Sequence, residues 1–185
     1  MHENLKLIVV LGLIATISGG VLAYVHQTVS PIIEANKLGP LRDAIYEVLP
    51  GATAFEVNTL DSSSGEGPTI YQGTDDSQEP VGIAFVAVGS GFGGPVEVMV
   101  GLDTAARTIV GIKVLDHQET PGLGSRIADP PFTGQFADKS IDDDFIVDKD
   151  VDMITGATIS CEAVASAIKN TVRQIEPVLR AGGAW

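Results

Sequence analysis

The most constraining feature of this sequence is an apolar run close to its amino terminus. Residues 7–25 (LIVVLGLIATISGGVLAYV) are 19 residues without a charged side chain. At about 1.5 Å rise per residue, a helix of this length nearly spans the hydrocarbon core of a bilayer. Tyr24 and His26 stand at its far edge, where amphipathic rings favour the membrane interface. The run is longer than the apolar region of a cleaved signal peptide, and no A-x-A site follows it, so we predict a retained anchor over residues 1–26.

Positive charges around this run favour one orientation, although weakly. Lys6 and the amino terminus flank one end, whereas Lys37 and Arg42 lie farther from the other. The positive-inside rule then places the amino terminus in the cytoplasm and residues 27–185 outside it. We therefore expect a single-pass protein of the cell (inner) membrane with an extracytoplasmic domain.

Charge and cysteine content exclude several classes of function. The chain has 24 Asp+Glu against 11 Lys+Arg, a net charge of −13. This balance argues against nucleic-acid binding and against docking on anionic lipid through a basic surface. The single cysteine, Cys161, cannot form an intrachain disulfide, and the three scattered histidines do not suggest a zinc site. We predict no metal site.

Two helical patterns flank the remaining domain, residues 51–185. Residues 27–50 form a predicted helical connector, interrupted near Gly39–Pro40, and a longer helix is predicted over Ile159–Leu179. A short helix is predicted over residues 130–138. The connector also has an apolar stripe that we expect to pack in a core, made of Leu41, Ile45, Val48 and Leu49.

Between these helices, short runs rich in valine and isoleucine and bounded by glycine predict strands. They are Thr69–Gln72, Val81–Val88, Val96–Leu102 and Thr108–Leu115. The segments 61–68 and 73–80 have turn composition. The acidic run Asp142–Asp144 lacks the spaced ligands of a calcium loop and is expected to be a solvated charge run. The fold class is therefore α+β.

The first motif with chemical content is residues 152–160 (DMITGATIS), which lead into the long helix. Gly156 allows close approach of the backbone to a ligand. The unpaired N–H groups and dipole of a helix start stabilise a phosphate. Alternatively, the hydroxyls of Thr158 or Ser160 only cap those N–H groups. The residues by themselves leave both interpretations open.

The second motif is the loop over residues 115–124 (LDHQETPGLG), which follows a predicted strand. Its proline restricts φ, and Gly122 and Gly124 permit positive φ, so the loop is either a ligand-binding backbone or a plain reverse turn. His117 and Glu119 are weak evidence for acid–base catalysis. We predict no catalytic residue.

Together, these motifs resemble the FMN-binding domain family. The pattern Asp152…Thr155-Gly156-Ala157-Thr158 is similar to the flavinylation motif of that family. The runs 119–124 (ETPGLG) and 91–95 (GFGGP) are similar to its other hallmarks. The resemblance covers roughly residues 5–180 and is greatest to G subunits of Rnf ion-translocating ferredoxin:NAD oxidoreductases. The C subunit of the sodium-pumping NADH:quinone reductase is a relative, but it usually carries a longer insert after its anchor.

The resemblance implies a cofactor and the residues that hold it. FMN would be joined through its phosphate to Thr158 as a phosphoester, in an FMN-binding domain over residues 51–185. Asp152 and Thr155 would belong to the pattern read by a flavin transferase. Further cofactor-binding residues implied by the family motifs are Thr155, Gly156, Ala157, Glu119, Thr120, Gly122, Leu123, Gly124 and, through tuning of the flavin, His117.

The resemblance also implies a function. The chain would be an electron-transfer subunit without a substrate site of its own, within a multisubunit ion-translocating oxidoreductase. Its partners would be the other membrane subunits of an Rnf-type complex and, during maturation, the transferase. The alternatives are a C-type subunit of the quinone reductase and a non-redox membrane-anchored scaffold in which Thr158 is only a cap. Cys161 is expected to be a buried, inert thiol.

Overall fold

The computed structural model describes residues 2–62 and 65–181, which divide into two compact units, Met1–Pro40 and Leu41–Trp185. Helix α1 (His2–Val48) begins in the first unit and ends in the second. Its segment Val9–Ser30 is long and apolar enough to cross a membrane, judged by length and composition. This segment agrees with the predicted anchor.

The predicted interruption of the connector near Gly39–Pro40 is wrong, because α1 is continuous through both residues. Proline has a φ close to the helical value, so at this position it removes one backbone hydrogen bond without ending the helix. Both residues are exposed, so their helical conformation is not imposed by burial.

The second unit is built on a five-stranded antiparallel sheet in which each strand pairs with its neighbours in sequence. The strands are β1 (Ala54–Ser62), β2 (Gly65–Thr74), β3 (Pro80–Ser90), β4 (Pro95–Asp103) and β5 (Thr108–His117). With the helices that flank the sheet, this confirms the predicted α+β class. All four predicted strands are present, and β1 is an additional one. β1 and β2 also extend into the predicted turn 61–68, since Asp61 pairs with Glu66.

The two faces of the sheet bury different sets of side chains. Helix α3 (Thr158–Ala181) packs on one face, where Phe85, Val98 and Ile168 are fully buried. The last turns of α1 pack on the other face, where Ile45 contributes to a smaller core with Met99. Alternate residues of each strand point to opposite faces, so a single strand contributes to both cores. The predicted apolar stripe of the connector is therefore confirmed as core.

The segment between β5 and α3 is mostly irregular. A 3₁₀ turn (Gly124–Ala128), the short helix α2 (Pro130–Thr133) and a second 3₁₀ turn (Gly134–Phe136) follow one another, close to the predicted short helix. The acidic run that follows is not simply solvated, because Asp144 pairs with Lys169 of α3 and Asp142 pairs with Arg107. These ion pairs connect the irregular segment to α3 and to the turn before β5.

Candidate functional site

A cleft of about 410 Å³ lies where the start of α3 meets the loop after β5 and the turn between β3 and β4. This volume is within the range of small-molecule and cofactor sites. Its lining combines three separate parts of the chain: Phe92 from the turn, Glu119, Thr120, Leu123 and Gly124 from the loop, and Gly156, Ala157, Thr158, Ile159 and Ser160 from the helix start. Both motifs singled out in the sequence therefore contribute to one cavity.

Thr158 is the first residue of α3 and lies exposed at the cleft. Gly156 has a φ of +83° and turns the chain into the helix, a conformation that glycine adopts without strain. The Thr158 hydroxyl donates to Met153 Sδ at 2.9 Å. Within the described residues, the backbone N–H groups of Thr158, Ile159 and Ser160 have no hydrogen-bond partner.

These observations contradict the capping alternative. Within the described part of the chain, neither the Thr158 hydroxyl nor the Ser160 hydroxyl accepts a hydrogen bond from the first turn of α3. The helix start therefore presents N–H groups and the positive end of its dipole to whatever occupies the cleft. An anion is stabilised at such a position.

Two polar side chains are buried at the base of the cleft. Glu119 is 6% exposed and Ser160 is 2% exposed. Glu119 Oε1 accepts the Gly93 N–H at 3.3 Å. No hydrogen-bond partner for Glu119 Oε2 or for Ser160 Oγ occurs in residues 2–62 and 65–181. Buried polar atoms without a partner are uncommon in folded proteins, and they indicate a missing ligand or water.

Glycines make room for the buried carboxylate. A Cβ atom on Gly91 would lie 2.0 Å from Glu119 Oε1, and one on Gly124 would lie 2.5 Å from Glu119 Oε2. Of the two glycines in the loop that permit a positive φ, Gly122 adopts one, at +77°, and Gly124 does not. Gly124 is needed for close approach and not for backbone conformation.

Some predicted site residues lie outside the cleft lining. His117 ends β5 and does not line the cleft, but its Nδ1 accepts the Glu119 N–H at 3.3 Å and so connects it to a residue that does. Gly122 is in the loop but does not line the cleft. Asp152 and Thr155 line a second cleft of about 280 Å³ beside Gln135 and Arg126.

Sequence reasoning missed three residues of the lining as site residues, namely Phe92, Ile159 and Ser160. Phe92 is 73% exposed, Ile159 is 50% exposed, and the neighbouring Leu123 is 48% exposed. Clustered exposed apolar side chains beside a cavity are typical of a ligand or partner site. The sequence contained one indication for Phe92, namely that it is a large apolar residue between glycines in residues 91–94.

The thiol of Cys161 is fully buried behind the motif that leads into α3. Its Sγ accepts the Ile154 N–H at 3.5 Å. Burial raises the pKa of Cys161, which keeps the thiol protonated and unreactive. Among the described residues, no group of three or more His, Cys, Asp or Glu is arranged to hold a metal ion.

Comparisons with known proteins agree with this geometry. The FMN-binding domain family matches residues 91–173, which include every cleft-lining residue. The chain is 32% identical over 175 residues to the G subunit of the ion-translocating oxidoreductase complex of Methanosarcina acetivorans, covering 92% of this chain and 93% of that protein. It is 28% identical to the G subunit of the proton-translocating ferredoxin:NAD(+) oxidoreductase complex of Clostridium ljungdahlii, covering 86% and 84%.

Two crystal structures share the fold. NqrC of Shewanella oneidensis superposes with a TM-score of 0.50 at 20% identity, covering 74% of this chain and 73% of that one. The C subunit of the Na⁺-translocating NADH-quinone reductase of Parabacteroides distasonis superposes with a TM-score of 0.54 at 25% identity, covering 63% and 64%. Sequence identity over nearly the full length is higher for the G subunits. The chain therefore belongs to the FMN-binding domain family, as a member of the G subunits of Rnf-type ion-translocating oxidoreductase complexes.

Proposed function

We propose that this chain is a membrane-anchored electron-transfer subunit that carries FMN covalently linked through its phosphate to Thr158. One observation carries the proposal: an exposed hydroxyl stands on the first residue of a long helix, at a cleft lined by both motifs. Membership of the FMN-binding family and of the G subunits supports the flavin and the redox role. Covalent attachment is the additional step that we infer.

The residues of the cleft fit the chemical parts of FMN. Unpaired N–H groups at the start of α3 suit a phosphate bonded to Thr158. Exposed apolar side chains of Phe92, Leu123 and Ile159 suit a flat aromatic ring. Gly156 lines the cleft without a side chain, so the backbone before α3 can approach the ligand closely.

Attachment of FMN requires a donor, and we infer FAD and a flavin transferase. The Thr158 hydroxyl loses its proton, and its oxygen forms an ester bond to the phosphorus of the FMN half. The pyrophosphate bond of FAD breaks, and the leaving group is AMP, which keeps the bridging oxygen and takes up the proton. Asp152 and Thr155 lie exposed on the same motif, beside the second cleft, where a transferase can contact them. We assign recognition by the transferase to these two residues.

The protein contributes position and electrostatics to the redox chemistry. FMN, when bound, supplies reversible transfer of one or two electrons. The bond to Thr158 prevents loss of the cofactor by dissociation. His117 holds the backbone of Glu119 and so fixes the buried carboxylate beside the cleft. The 119–124 loop supports the flavin from one side of the cleft.

The proposed setting is an Rnf-type complex, with other membrane subunits as electron-transfer partners. The apolar segment of α1 anchors the chain in the cell membrane, and we infer that the flavin domain is extracytoplasmic. The net charge of −13 favours approach to partner surfaces that carry basic residues. A C-type subunit of the quinone reductase is the second candidate, because the Parabacteroides distasonis structure that shares the fold is such a subunit. Near full-length coverage of a G subunit favours the Rnf setting.

The experiment that tests the proposal is intact mass with peptide mapping of the full chain, made together with its flavin transferase. We expect added mass equal to FMN minus water on Thr158. Thr158→Ala should abolish the addition. It should lower stability by less than the cost of about 1 kcal/mol for losing a helix cap, because the only hydrogen bond of the hydroxyl within the described residues is the one to Met153 Sδ.

Thr158→Ser is the matched control, since it keeps a hydroxyl at the same position and should still be modified. Unmodified Thr158 in the presence of an active transferase would contradict the proposed covalent attachment. Co-purification of the wild-type chain identifies its complex, because Rnf subunits and quinone-reductase subunits differ in mass and sequence.

A further inference from the structure

The base of the cleft contains a polar pair that the attachment of FMN to Thr158 does not explain. Glu119 Oε2 and Ser160 Oγ lie within 2.7 Å of the position that a Cβ atom on Gly124 would occupy. Both side chains are more than nine-tenths buried, and both line the cleft. Neither atom has a hydrogen-bond partner among the described residues.

Without a ligand, this arrangement leaves two buried polar atoms without hydrogen-bond partners in the described part of the chain. A ligand with hydroxyl groups supplies the partners that both atoms need. A buried carboxylate oxygen needs a donor, and a buried serine hydroxyl both donates and accepts. Leaving either atom without a partner costs free energy. A polyol satisfies both, because one of its hydroxyls donates to the carboxylate while another exchanges a hydrogen bond with the serine.

We propose that Glu119 and Ser160 form a subsite for the ribityl chain of the flavin; this inference rests on the proposed attachment of FMN to Thr158. Ser160 is two residues beyond Thr158 on the same helix, about 3 Å farther along its axis. The part of FMN next to the phosphate is the ribityl chain, so its hydroxyls are the groups that reach Ser160.

The other two parts of FMN fit this pair less well. The phosphate is negatively charged and is repelled by a carboxylate, whereas the N–H groups at the start of α3 attract it. The flavin ring is largely apolar and matches the exposed side chains of Phe92 and Leu123. Glu119 and Ser160 thus act as positioning residues that hold the middle of the cofactor and limit rotation about the bond to Thr158.

The test uses the full chain in detergent, flavinylated by its transferase, with the bound FMN on Thr158 verified by mass in each variant. Time-resolved fluorescence anisotropy of the flavin then measures how freely the cofactor rotates relative to the protein. We expect Ser160→Ala to raise the ratio of freely rotating to immobilised flavin about two- to tenfold, the factor that corresponds to one hydrogen bond. Ser166→Ala, an exposed serine on the same helix outside the cleft, should change nothing.

A direct contact is established by removing the partner hydroxyl from the ligand. FAD analogues that each lack one ribityl hydroxyl serve as donors for wild-type and Ser160→Ala protein. If one analogue and the substitution together free the flavin no more than either change alone, the contact is direct. Additive effects, or flavinylated Ser160→Ala protein with unchanged anisotropy, would overturn the inference and assign a buried water to the pair. The same experiment with Glu119→Gln tests the other member of the pair. If the Glu119→Gln variant does not fold, the results for Ser160→Ala alone decide the inference.

A failure of this inference is distinguishable from a failure of the proposed function. The absence of FMN mass on Thr158 removes the proposed function itself, and the anisotropy experiment is then not reached. FMN mass on Thr158 with a freely rotating flavin in the wild type removes only the ribityl subsite.

Discussion

Cys161 illustrates how a single residue supports the site without belonging to it. Its thiol is buried and accepts the Ile154 N–H, so it links the first turn of α3 to the motif that precedes the helix. The Thr158–Met153 contact and the backbone bond from Ala157 to Ile154 hold the same motif. Position 161 therefore calls for a small side chain with a weak acceptor, which a cysteine provides.

Burial of Cys161 predicts a pH dependence of stability. Burial raises the pKa of this thiol above its ordinary value of 9.0. The unfolded chain therefore loses the proton first as the pH rises, which favours unfolding. The stabilisation is complete below the unfolded pKa and is lost as the pH rises through the folded pKa.

The measurement is the free energy of unfolding of wild type and Cys161→Ala in urea at increasing pH. We expect the free energy of unfolding of the wild type to fall relative to that of Cys161→Ala above about pH 9. Below that pH, the free energies of both proteins should depend on pH in the same way. A difference that stays constant through this range would contradict the raised pKa.

At the scale of elements, the end of α1 contacts the sheet through a glycine. A Cβ atom on Gly101 of β4 would lie 2.1 Å from the Val48 carbonyl oxygen. Its cross-strand partner Gly111 of β5 has nothing within 4 Å of the same position. The two glycines are neighbours in the sheet but differ in what covers them, and this makes them a matched pair.

Gly101→Ala should destabilise the protein by about 1–3 kcal/mol or more, because the added methyl group meets backbone that cannot rotate away. Gly111→Ala should change stability by no more than about 0.5 kcal/mol. Thermal or urea unfolding of both variants provides the comparison. Equal destabilisation would mean that α1 does not rest on β4 as described.

A second element-scale contact fixes the motif that precedes α3. Gln135 accepts the Asp152 N–H at 2.6 Å through Oε1 and donates to the Asp152 carbonyl at 3.4 Å through Nε2. One amide side chain thus binds both backbone groups of Asp152. The second 3₁₀ turn thereby holds the segment that we propose a transferase recognises.

Gln135→Ala should slow attachment of flavin to Thr158 by several-fold, because the motif loses both hydrogen bonds. The control is Gln174→Ala, an exposed glutamine on α3. The rate is followed by mass with purified transferase and FAD, at several concentrations of the acceptor chain. An unchanged rate in Gln135→Ala would show that this contact does not organise the motif.

At the scale of the whole molecule, the anchor and the flavin domain lie in different units of the chain, and the side of the membrane that holds the domain is a prediction. The single native cysteine is buried, so an introduced cysteine can report this side with little background. Ser77 is exposed in the turn between β2 and β3 and is suitable for substitution. Asn4, which precedes the apolar run, is the control position expected on the other side of the membrane.

Ser77→Cys should react with a membrane-impermeant maleimide in right-side-out vesicles, whereas Asn4→Cys should react only after the vesicles are opened. The physical reason is that Lys6 and the amino terminus lie close to the apolar run whereas Lys37 and Arg42 lie farther from it, which weakly favours retention of the amino-terminal end in the cytoplasm. Labelling in the opposite pattern would place the flavin domain in the cytoplasm.

Local patterns and contiguous motifs in the sequence were sufficient to predict the membrane segment, four of the five strands and the start of the long helix. The apolar run Val9–Ser30 is a property of composition, and the runs rich in valine and isoleucine that form β2 to β5 are visible in residues close in sequence. The motif ending at Thr158 is contiguous, so its position at a helix start could be predicted without tertiary information. β1 was not predicted, because it is an edge strand whose side chains at residues 54–59 are mostly exposed.

Only the tertiary structure decided how the cleft is built. Glu119 and Ser160 are far apart in sequence, and both approach Gly124 closely because it has no side chain. His117 lies beside Glu119 in the sequence, yet its ring contacts the Glu119 backbone and not the cleft. Phe92 reaches the cleft through the turn between β3 and β4, a placement that depends on the packing of the sheet against α3. Side-chain direction at a shared cavity is set by long-range packing, and a local pattern in the sequence contains no information about it.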